Sequence, residues 1–533
     1  MSAFNLSCGV LGHIDSGKTS VCKVLSQITS TAALDKHPQS RERGITLDLG
    51  FSSFILAGNS SGDETQVTLV DCPGHASLIR TVLGGAHIMD LCLLIVDAQK
   101  GFQIQTAECL VIAEIVTTRL IIVVNKTDLI DSSTSTSYKA QMDKKIRSTM
   151  KGTIFGDSCP IIFVSAHSGE GIPDLICAVR DISQQRPNRV PSGPLHIAYD
   201  HAFQIKGQGT VFTGTVLSGT VRRGQSVYFP YTLESAEVRS IEKFRNKSES
   251  AVQGDRIGLC VPGVQPYEER GDIYSTPDAL ISSTKFVFLV ETIRFYKRPI
   301  ENGSKLHVSF GHTHSMGTVY FFKSTGGSKE SAILSGTPNI EYSQRNECLL
   351  DRLRGKRDHI VCANIPNSRF ELIDDIHGVS KDESVFCLVL LPKRLKLLSG
   401  APVVASKLDL DEEYHGCRLV LYGLHVDFPE ECLHSQILRR KRKEGVIERV
   451  HTDGSTYLIR GLIKKNGSDP SRFINKTIYH CSSGIEGRII STFGKSGLLR
   501  VQFNGDLPEN AVGTTIHIEV EKPALSKILN SHG

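Results

Sequence analysis

The sequence predicts a multi-domain chain, with a doubly wound α/β domain first and three β-barrel domains after it. Three observations point there. From residue 1 to about 185, short apolar runs alternate with patterns of helical spacing. The segment "QQRPNRVPSGP", Gln184 to Pro194, then breaks the pattern with prolines and reads as a linker. Beyond it come short alternating strands punctuated by glycine, which is the texture of barrels. A chain of 533 residues exceeds a single hydrophobic core, and at roughly 150 residues per domain three or four domains are expected.

In the first domain the strand candidates are "NLSCGVLG", "QVTLVDC", "LCLLIVDA", "LIIVVN" and "PIIFVSA". Each is apolar throughout rather than alternating, as expected of a parallel sheet covered on both faces. Helical spacing appears at Val21, Val24, Leu25 and Ile28, and again in "TAECLVIAEIV" from Thr106. After the linker, "IKGQGTVFTGTVLSGTVRRGQSVYF" places turns at Gly207, Gly209, Gly214, Gly219 and Gly224. The expected boundaries are 1–190 for the α/β domain, 191–279 and 280–428 for two barrels, and 429–533 for a basic β-rich domain. The stretch Asp351 to Ser380 suggests no function.

Composition narrows the class further. Hydrophobic residues make up 40% and charged residues 22%, ordinary values for a folded protein in water. The longest apolar runs, such as Leu91 to Val96, fall far short of the roughly 20 residues that span a bilayer. The N-terminus runs straight into a glycine motif without the pattern of a cleavable signal, so a cytoplasmic location, with the nucleus as a second compartment, is expected. Fourteen cysteines are scattered without a C-x-x-C pair and read as buried small hydrophobes. From Glu430 onward there are 16 Lys+Arg and 11 Asp+Glu, a surplus of 5 that equals the net charge of the whole chain. A polyanion-binding surface is therefore expected at the C-terminal end.

The motifs that carry chemistry lie in the first domain. "GHIDSGKT" fits G-x-x-x-x-G-K-[ST] with Gly12, Gly17, Lys18 and Thr19, between a strand and a helix. Its glycines let backbone N–H groups face phosphates, with Asp15, Ser16 and Ser20 completing the loop. Lys18 reaches the outer phosphates and Thr19 ligates Mg²⁺. "VTLVDCPGH" ends a strand with Asp71 placed to hold Mg²⁺ through water, while Gly74 offers its amide to a γ-phosphate. "VVNKTDL" supplies Asn125, Lys126 and Asp128, and a carboxylate there accepts the N1 and N2 donors of guanine that adenine lacks. "FVSAH" brings the backbone of Ser165, Ala166 and His167 to the base oxygen. A lone phosphate loop arises by chance, but four elements in this order, each at a strand's C-terminal end, identify a GTP site. GTP and GDP, with Mg²⁺, are the expected ligands.

"SRERGITLDLGF", Ser40 to Phe51, resembles the first switch of translational GTPases. That resemblance implies that Thr46 is a further Mg²⁺ ligand, that His75 of "DCPGH" orients the attacking water as the catalytic residue, and that Ile14 and Ile45 gate it. The whole chain resembles the selenocysteine-specific elongation factors of eukaryotes, most closely at "STAALDKHPQSRERGITLDLGF", "QVTLVDCPGHASLIRT", "DHAFQIKGQGTV", "QGDRIGLCV" and "FGHTHSMGTVYFF". General tRNA-carrying factors usually end after the third domain, whereas about 100 further residues follow here. The bacterial selenocysteine factors end in a longer string of winged helices.

The resemblance implies delivery of selenocysteinyl-tRNA to the ribosome at recoded UGA codons, with hydrolysis of GTP. It also implies a monomer, and contact with a selenocysteine-insertion RNA element through an adaptor RNA-binding protein. A pocket formed by Asp200, His201 and Arg256 in the second domain is implied as well, with Asp200 holding His201 protonated. The physical logic is that a selenol ionises at neutral pH and serine's hydroxyl does not, so a cationic pocket separates them. "LRRKRKEG" places five consecutive cations, Arg439 to Lys443, in the terminal domain, where an RNA or ribosome contact competes with an import signal. One departure is His167, where lysine or leucine is common. Three rivals remain at this point: an initiation-factor-like tRNA carrier, a regulatory GTPase of a metabolic enzyme, and a nucleotide-binding scaffold without turnover.

Overall fold

The computed structural model describes residues 4–26, 28–29, 50–57, 64–73, 89–130, 135–185, 189, 192–243, 246–265, 270–311, 313–325, 348–354, 369–374, 376, 383–410, 414, 416–451, 455–463, 470–493, 497–508 and 510–532. The first domain is built on a seven-stranded sheet in the order β2-β3-β4-β1-β5-β6-β7. Its strands are β1 (Phe4–Gly12), β2 (Ile28–Thr29), β3 (Gly50–Leu56), β4 (Thr65–Asp71), β5 (Leu91–Asp97), β6 (Leu120–Asn125) and β7 (Ile161–Phe163). From β4 to β7 every pairing is parallel. Helix α1 (Lys18–Leu25) and the helices Ile104–Val116 and Ser135–Met150 connect these strands, and the helix Ile172–Gln184 follows the last of them.

The five strands expected from the sequence are all parallel, and two strands that it did not indicate add an antiparallel edge. β3 runs antiparallel to β4, and β2 antiparallel to β3. "GFSSFIL" does not look like a strand because two serines interrupt it. Both are buried, and each is matched by hydroxyl or amide partners: Ser26 Oγ donates to Ser52 Oγ at 2.7 Å, and Gln66 Nε2 donates to Ser53 Oγ at 3.0 Å.

The second domain carries an eight-stranded sheet around a core that includes Ile197, Tyr199, Phe212, Val216, Ile257 and Leu259. Its centre is formed by β8 (His196–Ile205), β9 (Gly209–Ser218) and the strand Arg256–Val261. Of the five glycines read as turns, Gly214 is not one: it lies within β9, opposite Tyr199. The linker is anchored at Arg189, whose Nη2 lies 2.6 Å from Asp90 Oδ2, while Asn5 Nδ2 donates to Gly254 O at 2.8 Å.

The third block closes on itself. The strands Lys305–Phe310, Pro402–Ser406, Leu419–Val426, Leu280–Thr292, Val385–Leu398 and Thr313–Ser324 follow one another, and the last pairs again with the first. This removes the sheet edges. Its side facing the first domain is polar: Arg294 Nη2 meets Glu114 Oε2 at 3.0 Å, and Arg418 N donates to Glu108 Oε1 at 2.8 Å. Burial pushes both glutamate carboxyls above their ordinary value, and these arginine contacts pull the other way.

The described residues divide into two compact units, the second of which comprises Phe322–Thr325, 369–372 and 429–532. Its strands also form a closed ring, Ile437–Val450, Tyr457–Arg460, Leu498–Phe503, Glu486–Phe493, Thr477–His480 and Thr515–Pro523. Two short pieces from within the expected third block belong to this unit. Phe370 pairs in parallel with Ile437 and packs edge-on against Phe322, with 5.5 Å between ring centroids. Among the described residues no helix is long and apolar enough to cross a membrane.

Candidate functional site

The phosphate loop sits where β1 hands over to α1. Gly17 stands at φ 89°, and a Cβ added there would lie 2.2 Å from Asn125 Nδ2. Only glycine fits the conformation and the space. The same Asn125 Nδ2 donates to Ser16 O at 3.0 Å, so the guanine motif braces the phosphate loop. Lys18 Nζ donates to His13 O at 2.8 Å, and burial lowers its ammonium below the ordinary value while Asp71 pulls it up. A desolvated lysine held inside a loop of backbone amides is a strong phosphate donor.

Thr19 Oγ1 and Asp71 Oδ2, brought from α1 and β4, lie 2.6 Å apart. A hydroxyl and a buried carboxylate side by side are hard oxygen donors of the kind Mg²⁺ takes. Among the remaining loop residues, Asp15 adopts φ 59° and Ser16 Oγ donates to His13 O at 2.9 Å, while Ser20 is exposed on α1. Ile14 N donates to Gln105 Oε1 at 3.3 Å, a link between the loop and the helix Ile104–Val116 that the sequence did not signal. Thr46, Gly74 and His75, with Ile45, lie outside the described residues.

At the base end, Asp128 Oδ1 accepts the Ser165 hydroxyl at 2.6 Å, and Ser165 Oγ in turn accepts Ser168 N at 3.1 Å. The Ala166 amide, expected beside the base oxygen, donates to Asn125 Oδ1 at 3.1 Å and so ties the two guanine motifs together. His167 is exposed. Lys126, with φ 68°, reaches Asp97 Oδ2 at 2.8 Å. Asp97 also accepts Gln99 N and Lys100 N. Burial raises its carboxyl, but the hydrogen bonds from Lys126 and these two amides outweigh it and leave the group below its ordinary value. Asp97 was missed because a lone aspartate at a strand end carries no motif.

The second cluster lies in the second domain. The ladder between β8 and β9 shifts register between Tyr199 and His201, making Asp200 an extra, bulged residue. Gly214 stands beside the bulge, where a Cβ would lie 2.2 Å from Ala198 O. Asp200 is buried and its Oδ2 lies 2.6 Å from Arg256 Nη2, with Thr213 Oγ1 donating to Oδ1 at 3.1 Å. The expected partner of Asp200 was His201; the carboxylate is instead committed to Arg256, which stands across β9 on the neighbouring strand. His201 is half-buried beside the bulge, opposite Thr213. Asp255, next to Arg256 in sequence, is taken by Lys243 at 2.5 Å. Arg256 also lies over the Phe51 ring, 3.6 Å from guanidinium carbon to centroid.

The basic run lies on the strand Ile437–Val450. Strand alternation splits it: Arg440 and Arg442 pair across to Glu521 and Glu519, whereas Arg439 and Lys441 pair across to Lys522 and Val520. Arg440 Nε is 3.6 Å from Glu521 and 3.7 Å from Glu371, and Arg442 Nε is 3.4 Å from Glu444. Lys443 Nζ lies 4.9 Å over the Phe473 ring. Five cations in sequence are therefore not five cations on one face.

Family models match along the chain. They are the elongation factor Tu GTP binding domain at 5–185, elongation factor Tu domain 2 at 209–275, the third domain of eukaryotic selenocysteine-specific elongation factors at 287–423, and the eEFSec C-terminal RIFT domain at 434–527. The chain is 37% identical to the selenocysteine-specific elongation factor of Mus musculus, over 95% of this chain and 89% of the mouse protein. It is 30% identical to that of Methanocaldococcus jannaschii, over 95% and 96%. Among solved structures, translation elongation factor SelB from Methanococcus maripaludis, in complex with the GTP analogue GppNHp, matches with a TM-score of 0.73. Its identity is 26%, and the match covers 98% of this chain and 100% of the other.

Proposed function

This chain belongs to the selenocysteine-specific elongation factor family, and from that premise we propose how its residues divide the work. It binds GTP, hydrolyses it to GDP, and delivers selenocysteinyl-tRNA to the ribosome. The matches to the third and fourth domains of this family leave the initiation-factor-like and metabolic readings without support.

In the proposed division, the loop from Gly12 to Ser20 cradles the phosphates and Asn125, Lys126, Asp128, Ser165, Ala166 and His167 form the base end. Thr19 and Asp71, with Thr46 and the Gly74 amide by resemblance, line the metal and γ-phosphate side. Mg²⁺ held there would neutralise phosphate charge. His75 is assigned the orientation of the attacking water. The protein is proposed to act as a cytoplasmic monomer, with entry to the nucleus, and to reach the selenocysteine-insertion RNA element through an adaptor protein.

One observation carries the amino-acid assignment: Arg256 Nη1 is buried with no hydrogen-bond partner among the described residues, in a cluster whose acid is already spent on Nη2. A buried, unsatisfied guanidinium edge costs stability unless an anion meets it. A selenolate supplies that anion, and a seryl hydroxyl does not. A charge-assisted contact is worth about 1.5 to 3 kcal/mol, roughly ten- to a hundredfold in affinity. His201→Ala/Arg256→Ala is expected to lower affinity for selenocysteinyl-tRNA by that factor or more, while affinity for the seryl form of the same tRNA and for GTP stays put. An unchanged ratio of the two tRNA dissociation constants would place selection in the tRNA body instead.

A further inference from the structure

Among the described residues two cysteines are exposed, Cys177 and Cys481, and the other free thiols are buried. Burial pushes the thiols of Cys109, Cys159 and Cys348 up, to about 11, about 12 and about 12. A buried, protonated thiol is neither reachable nor nucleophilic, so sulfur chemistry with a small reagent falls to the exposed positions. Those two stand in different surroundings. Cys177 lies on the helix Ile172–Gln184, and its sulfur has no hydrogen-bond partner among the described residues. Cys481 follows the strand Thr477–His480 in the terminal domain, and two nitrogens converge on it. Arg442 Nη2 donates to its Sγ at 3.3 Å, and His517 Nδ1 lies 3.4 Å from the same sulfur.

Strand register produces this convergence. Glu444 stands opposite His517, and His517 opposite Tyr479; Arg442 stands opposite Glu519, and Tyr479 opposite Glu486. Opposite residues share a face, and so do alternate residues along one strand. Arg442, Glu444, His517, Glu519, Tyr479 and Glu486 therefore lie on the outer side, whereas Ile478, Ile516 and Ile518 fill the core. His517 is set in place by stacking on the Tyr479 ring, with 5.3 Å between centroids and 23° between planes. The Arg442 guanidinium is held between the sulfur and Glu444.

We propose that Cys481 is a nucleophilic thiol, the point at which this chain forms mixed disulfides with low-molecular-weight disulfides. In the tautomer that carries its hydrogen on Nε2, His517 takes the thiol proton at Nδ1. The Arg442 guanidinium faces the charge left on sulfur, and the thiolate is the form that attacks. Its electron pair forms a bond to one sulfur of the incoming disulfide, and the old S–S bond breaks with its pair on the departing sulfur. That sulfur leaves as a thiolate and takes up the proton from His517. Cys481 is oxidised, the departing sulfur is reduced, and no further reactant enters. The added group projects from the outer side of the ring, so the core of the terminal domain stays closed. At Cys177 the proton and the charge are left to water.

The test exposes the full chain, with GTP bound, to glutathione disulfide, and peptide mass spectrometry follows the mixed disulfide at Cys481 and at Cys177. Two exposed charge contacts of about two- to fivefold each combine to roughly tenfold, which is the expected advantage of Cys481 over Cys177. Arg442→Gln/His517→Gln should bring Cys481 to within about twofold of Cys177, and Arg442→Lys, which keeps the charge, should retain most of the rate. In urea the two cysteines should react alike, because the advantage belongs to the fold. Equal rates at the two positions in the folded chain, an undiminished Cys481 rate in the double variant, or an advantage that persists in urea overturns the proposal. If labelling of the buried Cys109 shows that the double variant has opened, His517→Gln alone takes its place, and an undiminished rate there has the same force.

Discussion

Ser165 shows how much a single residue decides at the base end of the nucleotide site. Its hydroxyl is buried, donates to Asp128 and accepts from Ser168 N, so it fixes the carboxylate proposed to select guanine while closing its own loop. Ser165→Ala leaves Asp128 able to turn toward water. A hydrogen bond to a charged group is worth about 1.5 to 3 kcal/mol, and GTP affinity is expected to fall about tenfold or more, with ATP affinity unchanged. Titration with both nucleotides checks this, and equal GTP affinity in the variant would mean that Asp128 is held by its backbone alone. Lys126 and Asp97 form a similar local brace, 2.8 Å apart.

At the scale of elements, the proposed aminoacyl cluster is built on a strand defect. β8 and β9 would place Asp200 and His201 on opposite faces if their ladder were regular. The bulge at Asp200 sends that carboxylate to Arg256, and beside it Gly214 lets the backbone of β8 approach β9 closely. Gly214→Ala sets a Cβ 2.2 Å from Ala198 O, and backbone cannot retreat as a side chain can. The expected cost is about 1 to 3 kcal/mol of stability, together with a loss of selenocysteine-over-serine discrimination while GTP still binds. Melting curves and the two tRNA affinities read both effects. A stable variant with normal discrimination would show that the bulge is incidental. The helix Ile104–Val116 is the other element with a double duty, since it touches the phosphate loop through Gln105 and the third domain through Glu108 and Glu114.

For the molecule as a whole, charge is concentrated in the last domain, but the fold distributes it unevenly. Cross-strand acids stand opposite Arg440 and Arg442, and a lysine and a valine opposite Arg439 and Lys441. Each phosphate contact contributes a slope of roughly 0.7 to 0.9 to the dependence of log affinity on log salt. Arg439→Glu/Lys441→Glu is therefore expected to flatten the salt dependence of RNA or ribosome binding by about one to two units. Arg440→Glu/Arg442→Glu should mainly destabilise the domain, because it sets acids against acids. Equal salt slopes in the two double variants would remove the strand as a polyanion surface. If binding survives in both while nuclear entry fails, the run serves import.

The proposed nucleotide site could be drawn from the sequence because its parts are local: each motif closes a strand, and backbone geometry follows from glycine spacing over a few residues. Gly12 to Ser20, Asp71, Asn125 to Asp128 and Ser165 to His167 could all be named that way. The barrel texture and the basic terminal domain were legible for the same reason, since strand period and charge are read along the chain. Three things were decided only by tertiary structure. The partner of Asp200 is Arg256 because a register shift turns the acid inward, and no sequence pattern encodes a shift between strands. The basic run is divided because its opposite strand, some 80 residues on by the pairing of Arg439 with Lys522, supplies acids at alternate positions. Phe51 meets Arg256 because two domains with separate cores pack together there, and a contact between residues 205 positions apart leaves no trace in local spacing.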